Sequence, residues 1–223
     1  MLEELDEMFK SDTIKPTFEY VHIILALFLF DENPTGIGRY RIKEELSIGS
    51  GTAKSLIKKL NEKLEFISVF DKNIRKGHIL TEKGKKFLEK FKKKIPFLKE
   101  GDISILKEII IESENSRVYI CQVKNSAEKL TNGIAQRDAA IKIDGKGASC
   151  IIFDGQTFTF ELGHSLQEEK EQMNVNTVVQ DYFKKIIKAS ESNLEKNDVM
   201  IIGLGKNTEL ARLASLNAAL TLI

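Results

Sequence analysis

The chain has 223 residues, of which 42% are hydrophobic and 30% charged, a globular profile that excludes disordered and fibrous classes. At roughly 100–200 residues per domain, this length holds one large or two small domains. Net charge is +1 but unevenly spread: Lys and Arg against Asp and Glu stand at 2 to 8 over residues 1–36, 18 to 7 over 37–99 and 14 to 18 over 100–223. A basic block between acidic flanks fits a polyanion-binding segment or a solvated lysine-rich face.

The opening MLEELDEMF is acidic and lacks the basic start of a signal peptide. The apolar run from Val21 to Phe30 is shorter than the about 20 residues a bilayer demands. It predicts a core helix over about Thr17–Phe30, and a cytoplasmic protein with no membrane association. Asn33-Pro34-Thr35-Gly36 then breaks the chain. A short helix is expected from Arg39 to Leu46. The turn Ser47-Ile48-Gly49-Ser50-Gly51 follows, with Ser50 as N-cap of a third helix reaching Leu64. Ala53, Leu56, Ile57, Leu60 and Leu64 share one face of that helix, while Thr52, Lys54, Ser55, Lys58, Lys59 and Lys63 share the other.

The period then changes. Phe66–Phe70 and His78–Leu80 read as strands around a basic turn, Asp71–Gly77. Thr81 caps a fourth helix from Glu82 to about Ile95, which Pro96 stops. A domain boundary is expected near Pro96–Asp102. This order resembles the winged-helix family over Thr17–Ile95, on RIKEELSIGSGTAKSLIKKL, FISVF, the basic turn and HILTEKGKKFL. The resemblance implies a recognition helix in a major groove and a wing on the backbone. The residues themselves fit such work. Gly51, Thr52, Lys54 and Ser55 are placed to approach base edges, and Ser50 counts among the DNA-binding residues. Arg39, Arg41, Lys58 and Lys59, with Lys72, Arg75 and Lys76 in the wing, suit phosphates. A winged helix also serves as a protein–protein module, so an adaptor stays open.

The second half predicts strands at Ile103–Ile111 and Arg117–Val123, paired around Glu114-Asn115-Ser116, and a helix over Asn132–Ile143. Ala148–Phe153 and Phe158–Leu162 form a hairpin around Asp154-Gly155-Gln156. Residues 163–176 read as a polar loop. Val178, Val179, Tyr182, Phe183, Ile186 and Ile187 mark an amphipathic helix. Val199–Leu204 is a buried strand, and an Ala-rich helix over Thr208–Leu222 closes the pattern.

Gly203-Leu204-Gly205-Lys206-Asn207 follows a strand and opens a helix, where amide groups can hold an anion, although an ordinary turn reads the same way. Arg137 can grip a carboxylate or phosphate, or make a salt bridge. These residues are the candidate site for a small anionic ligand. His164 near Glu161 has no nucleophile beside it, and no catalytic set, metal spacing or cofactor motif emerges. Cys121 and Cys150 read as buried thiols, with a disulfide left open. The segments NGIAQRDAAIKIDGKGASCIIFDG and NDVMIIGLGKN, with the last helix, resemble a C-terminal domain of archaeal winged-helix proteins of uncharacterised function.

The expected fold is α+β: an N-terminal winged helix-turn-helix domain, 1–98, then a C-terminal mixed α/β domain, 101–223. The expected function is a transcriptional regulator bound to double-stranded DNA as a homodimer, with the second domain serving ligand sensing or dimerisation. The first and last helices are its candidate dimer surfaces. A metabolic enzyme or ligand-binding protein with an accessory winged helix is the alternative.

Overall fold

The structure, a computed structural model, describes residues 2–10, 16–70, 77–110, 115–160, 174–190 and 192–223. The fold is α+β, with a helical N-terminal region and a C-terminal sheet domain. The chain divides into two compact units, residues 1–91 and 92–223.

In the first unit a 3-10 helix, Leu2–Met8, buries Leu5 and Met8. Then come α1 (Tyr20–Glu32), α2 (Arg39–Glu45), α3 (Ser50–Glu62), β1 (Ile67–Val69), β2 (His78–Leu80) and α4 (Glu82–Lys94). Helix α1 begins three residues later than the sequence suggests, because Glu19 and His22 fix its start. The Glu19 amide donates to His22 Nδ1 at 2.9 Å, satisfying a donor that the helix leaves orphaned. Every residue from Val21 to Phe30 is buried, as expected of a helix apolar all round.

The turn between α2 and α3 differs from expectation in its chemistry. Ser47, not a glycine, takes the left-handed conformation, with φ 50°. Its amide bonds Glu44 O at 3.0 Å, and the Ile48 amide bonds Lys43 O at 3.1 Å. Both bonds close the α2 carbonyl end in a Schellman arrangement. Gly49 is the N-cap residue of α3, without a side-chain bond, and Ser50 is the first helical residue.

Strands β1 and β2 pair antiparallel, Ile67 with Leu80 and Val69 with His78, and Ile37 bridges His78 on the other side of β2. Thr81 Oγ1 accepts from the Gly84 amide at 3.1 Å, so the predicted cap of α4 is present. Gly84 meets β1 at its entrance. A Cβ there would stand 2.1 Å from Phe66 O, so the LTEKG segment needs its glycine for close approach.

The second unit is built on five strands: β3 (Phe97–Glu100), β4 (Arg117–Val123), β5 (Gly147–Phe153), β6 (Phe158–Phe160) and β7 (Asp198–Gly205), in spatial order β3-β4-β7-β5-β6. Every pairing in this sheet is antiparallel. Helices α5 (Ile103–Leu106) and α7 (Thr177–Lys188) share one core with Val118, Ile120, Ile151, Met200 and Ile202. The opposite strand face meets α8 (Thr208–Leu220), where Ser215 Oγ donates to Ile201 O at 3.3 Å. Helix α6 (Ile134–Lys142) is tied to α8 by Asn217 Nδ2, which donates to Ala139 O at 2.7 Å.

Over residues 103–110, the described part of the expected strand Ile103–Ile111, no strand forms. Asp102 caps a helix there, accepting from the Ser104 amide at 2.9 Å, and β3 pairs with β4 in its place. The Asp154 turn holds as expected, its carboxylate accepting from the amides of Gln156 at 2.7 Å and Thr157 at 2.8 Å.

Cys121 and Cys150 are both free and buried. Each pairs with Ile201, from opposite sides of β7. Two strand spacings of about 4.8 Å separate them, beyond the roughly 7 Å that a disulfide spans. Burial pushes both thiols up, Cys150 to about 12, which keeps them un-ionised and inert.

Candidate nucleic-acid interface

Helix α3 separates its two faces cleanly. Ala53, Leu56, Ile57 and Leu60 are buried. Ser50, Lys54 and Lys58, one turn apart in succession, are exposed, while Thr52 and Ser55 are half-buried. Lys58 lies 3.7 Å from Glu62 on the same helix, a loose exposed pair of small energetic weight. Arg39 is exposed at the start of α2, its guanidinium 5.3 Å from the Tyr40 ring.

Other basic residues are engaged within the fold. Lys59 Nζ donates to the carbonyls of Met8 at 2.7 Å and Lys10 at 2.8 Å, and desolvation lowers its pKa. Its ammonium thus anchors the N-terminal segment to α3. Arg41 donates to Asn33 Oδ1 at 3.0 Å and reaches Glu45 at 3.5 Å, bracing the α1–α2 connection. Thr52 and Thr17 share a hydroxyl hydrogen bond of 2.7 Å. Lys72, Arg75 and Lys76 lie outside the described residues, as do Glu161 and His164.

In the second unit the strand-to-helix glycines have a packing role. A Cβ on Gly203 would stand 2.2 Å from Ser215 N, and one on Gly205 2.3 Å from Ala211 N. The α8 backbone fills the space beside them. Asn207 caps α8, its side chain accepting from the Leu210 amide at 3.0 Å, and Lys206 is exposed. Arg137 bonds its neighbour Asp138 at 2.9 Å. It lines a cleft of about 230 Å³ with Asn132, Ile134, Ser149 and Cys150, and none of Gly203–Asn207 borders that cleft. Arg137 Cγ also lies 3.7 Å from the Cβ position of Gly147, the strand partner of Leu204.

Among the described residues, the most buried charge has a structural place. Asp198, fully enclosed, accepts from Gln122 Nε2 at 2.7 Å, Lys124 Nζ at 2.9 Å, Asn125 N at 3.0 Å and Glu195 N at 2.9 Å. Four donors satisfy the carboxylate and fasten β7 to the loops around it. Among the described residues no group of three His, Cys, Asp or Glu side chains is placed to hold a metal, and no helix is long and apolar enough to cross a membrane.

Two families match the chain in part. The family described as "PH0730-like, N-terminal domain" matches residues 19–86. The family described as "Domain of unknown function (DUF4443)" matches residues 114–222. No curated protein matches. Among solved structures, the hypothetical protein PH0730 from Pyrococcus horikoshii OT3 is similar, with a TM-score of 0.65, 24% identity and 91% of each chain covered. That likeness is one of fold, shared with an archaeal protein whose description carries no function.

Tyr40 is an exposed residue that charge counting passes over. Its side chain is 72% exposed on α2, between Arg39 and Arg41. An aromatic interleaved with arginines in a basic segment is the sequence signal for it. Val69 and Phe70, at the end of β1, are exposed as well.

Proposed function

We propose that the N-terminal unit is a winged helix that binds double-stranded DNA, and that the protein is a homodimeric transcriptional regulator. The exposed line Ser50–Lys54–Lys58, backed by the buried face of α3, carries this reading. A helix so divided can seat itself on its own core and enter a major groove about 12 Å wide. The order of elements supports the assignment. Helices α2 and α3 follow α1, β1 and β2 come next, and Ile37 adds a third short pairing to β2. In this reading Ser50 and Ser55 face base edges, Lys54 and Lys58 meet phosphates, and Arg39 and Tyr40 approach the flanking backbone. Lys72, Arg75 and Lys76 join the interface on sequence grounds. The second unit serves dimerisation, since one recognition helix makes few base contacts and paired half-sites raise specificity.

Fluorescence anisotropy tests this with genomic fragments, including the protein's own promoter, across a salt series. Specific binding with a salt slope is expected, and each of Lys54→Ala and Lys58→Ala should reduce that slope by about 1. Absence of binding by the wild type at low salt would overturn the proposal.

A further inference from the structure

We infer that the outer face of α6 is a homodimer surface, on which two copies of this chain pack their α6 helices antiparallel about a twofold axis. This rests on the dimeric regulator proposed above and supplies the surface that such a dimer requires.

The two helices whose apolar sequence suggested an interface are both taken up in cores. Residues Val21–Phe30 of α1 are buried, as are ten of the thirteen residues of α8. Helix α6 is different. Its inner side buries Gln136 and Ala140, and Gln136 Nε2 reaches Thr221 Oγ1 at 2.7 Å. Its outer side exposes two large aliphatic residues, Ile134 at 48% and Ile141 at 50%. Seven positions apart, they fall two turns apart on one face, about 10 Å along the axis. Between them lie Arg137 and Asp138, with side chains 55% and 59% exposed.

This face is complementary to itself. A twofold axis crossing the helix between positions 137 and 138 brings Ile134 onto the second copy's Ile141. The same operation brings Arg137 onto the second copy's Asp138. The apolar pair and the charge pair share one midpoint, so a single register satisfies both, as a symmetric dimer interface demands. Within one chain the Arg137–Asp138 pair joins adjacent exposed residues and contributes little. Across the axis, two arginines and two aspartates form a ring of alternating charge, closed at each end by an isoleucine pair that excludes water. Helix α6 has nine residues, about 14 Å of contact length. That is short for the roughly 1,200 Å² or more of a tight interface, so free dimers are weak. Two half-sites on one DNA strengthen them through effective concentration.

Sedimentation equilibrium of the full chain without DNA tests the surface. The wild type is expected to dimerise as its concentration rises. Ile134→Glu and Ile141→Glu should each weaken association at least about tenfold, with an unchanged circular-dichroism spectrum and melting curve, because both side chains are exposed. Arg137→Glu alone and Asp138→Arg alone should weaken it too, and the combined R137E/D138R chain should recover wild-type association by exchanging the charges. A wild type that stays monomeric at the highest soluble concentration would overturn the inference. So would association unaffected by Ile134→Glu, or a double variant as weak as the single ones. Anisotropy on a single half-site separates the two readings. Dimer loss in the variants, with no DNA binding by the wild type, upholds this surface and removes the regulator. DNA binding by a wild-type monomer does the reverse.

Discussion

Gly203 on β7 lies so close to Ser215 on α8 that a Cβ on the glycine would stand 2.2 Å from the Ser215 amide nitrogen. The atom in the way is backbone, so no rotamer change relieves the clash. Gly203→Ala is therefore expected to destabilise the second unit by at least about 2 kcal/mol, at the upper part of overpacking effects. Gly51→Ala is the contrasting change, since nothing lies within 4 Å of its Cβ position and Ala is favoured over Gly inside a helix by about 0.5–1 kcal/mol. Urea denaturation of both variants checks the pair. Wild-type stability in Gly203→Ala would contradict the strand–helix contact.

Ser47 holds a left-handed backbone that costs an L-residue about 1–2 kcal/mol. Ser47→Gly removes that strain and should raise stability by about 0.5 kcal/mol, once the extra freedom of the unfolded glycine chain is counted. Lowered stability, read from the denaturation midpoint, would show that the serine side chain contributes more than the strain.

Lys58 and Lys59 are adjacent in sequence and separate in role. Lys59→Ala strips two carbonyl acceptors of their ammonium partner and should cost about 1 kcal/mol of stability. It should also open the N-terminal segment to proteolysis. Lys58→Ala should leave the melting curve within about 0.5 kcal/mol of wild type. Limited proteolysis alongside thermal melts distinguishes the two, and equal protease resistance in both variants would refute the anchoring role of Lys59.

His22 makes stability depend on pH. Burial lowers its pKa below the usual 6.5, against the opposing pull of Glu19, and its Nδ1 accepts the Glu19 amide only while unprotonated. The unfolded chain therefore binds this proton more tightly than the folded one. Stability is complete above about pH 6.5 and is lost as pH falls towards the lowered folded value. His78 acts in the same direction, since burial lowers it as well. His22→Gln keeps a capping acceptor at the same position and should flatten the slope below about pH 6.5 without abolishing it. Stability measured across that range checks this, and an unchanged slope in the variant would remove His22 from the account.

Where periodicity and punctuation agree, the elements are legible in the sequence. Helix α3 showed its buried face in Ala53, Leu56, Ile57 and Leu60. Helix α7 showed its own in Val179, Phe183 and Ile187, and β7 showed a continuous apolar run suited to a central strand. The miss at Ile103–Ile111 has a local cause. An isoleucine-rich run reads as strand, but Asp102 supplies the cap that starts a helix within it. The strand opposite β4 is Phe97–Glu100, four residues directly after Pro96, too short to display a period. The candidate interface was legible as a charged face and no further. Lys54, Lys58 and Lys59 look alike in sequence, and the role of Lys59 is set by carbonyls 49 and 51 positions away. At Gly203 and Gly205 close helix packing and phosphate approach ask for the same residue, so the sequence alone leaves both readings open there.

The central position of β7 also sets the order in which the second unit can be completed. It pairs with β4 on one side and β5 on the other, yet chain order puts it after every other strand of the sheet. Before β7 is made, β3–β4 and β5–β6 can form only two separate antiparallel pairs, each with an open edge where β7 belongs. Such edges invite pairing with other chains, and the sheet gains a closed centre only when β7 leaves the ribosome. A nascent chain stalled before Asp198 would carry two adhesive half-sheets. Chaperone engagement and aggregation should therefore concentrate in the interval between β6 and β7.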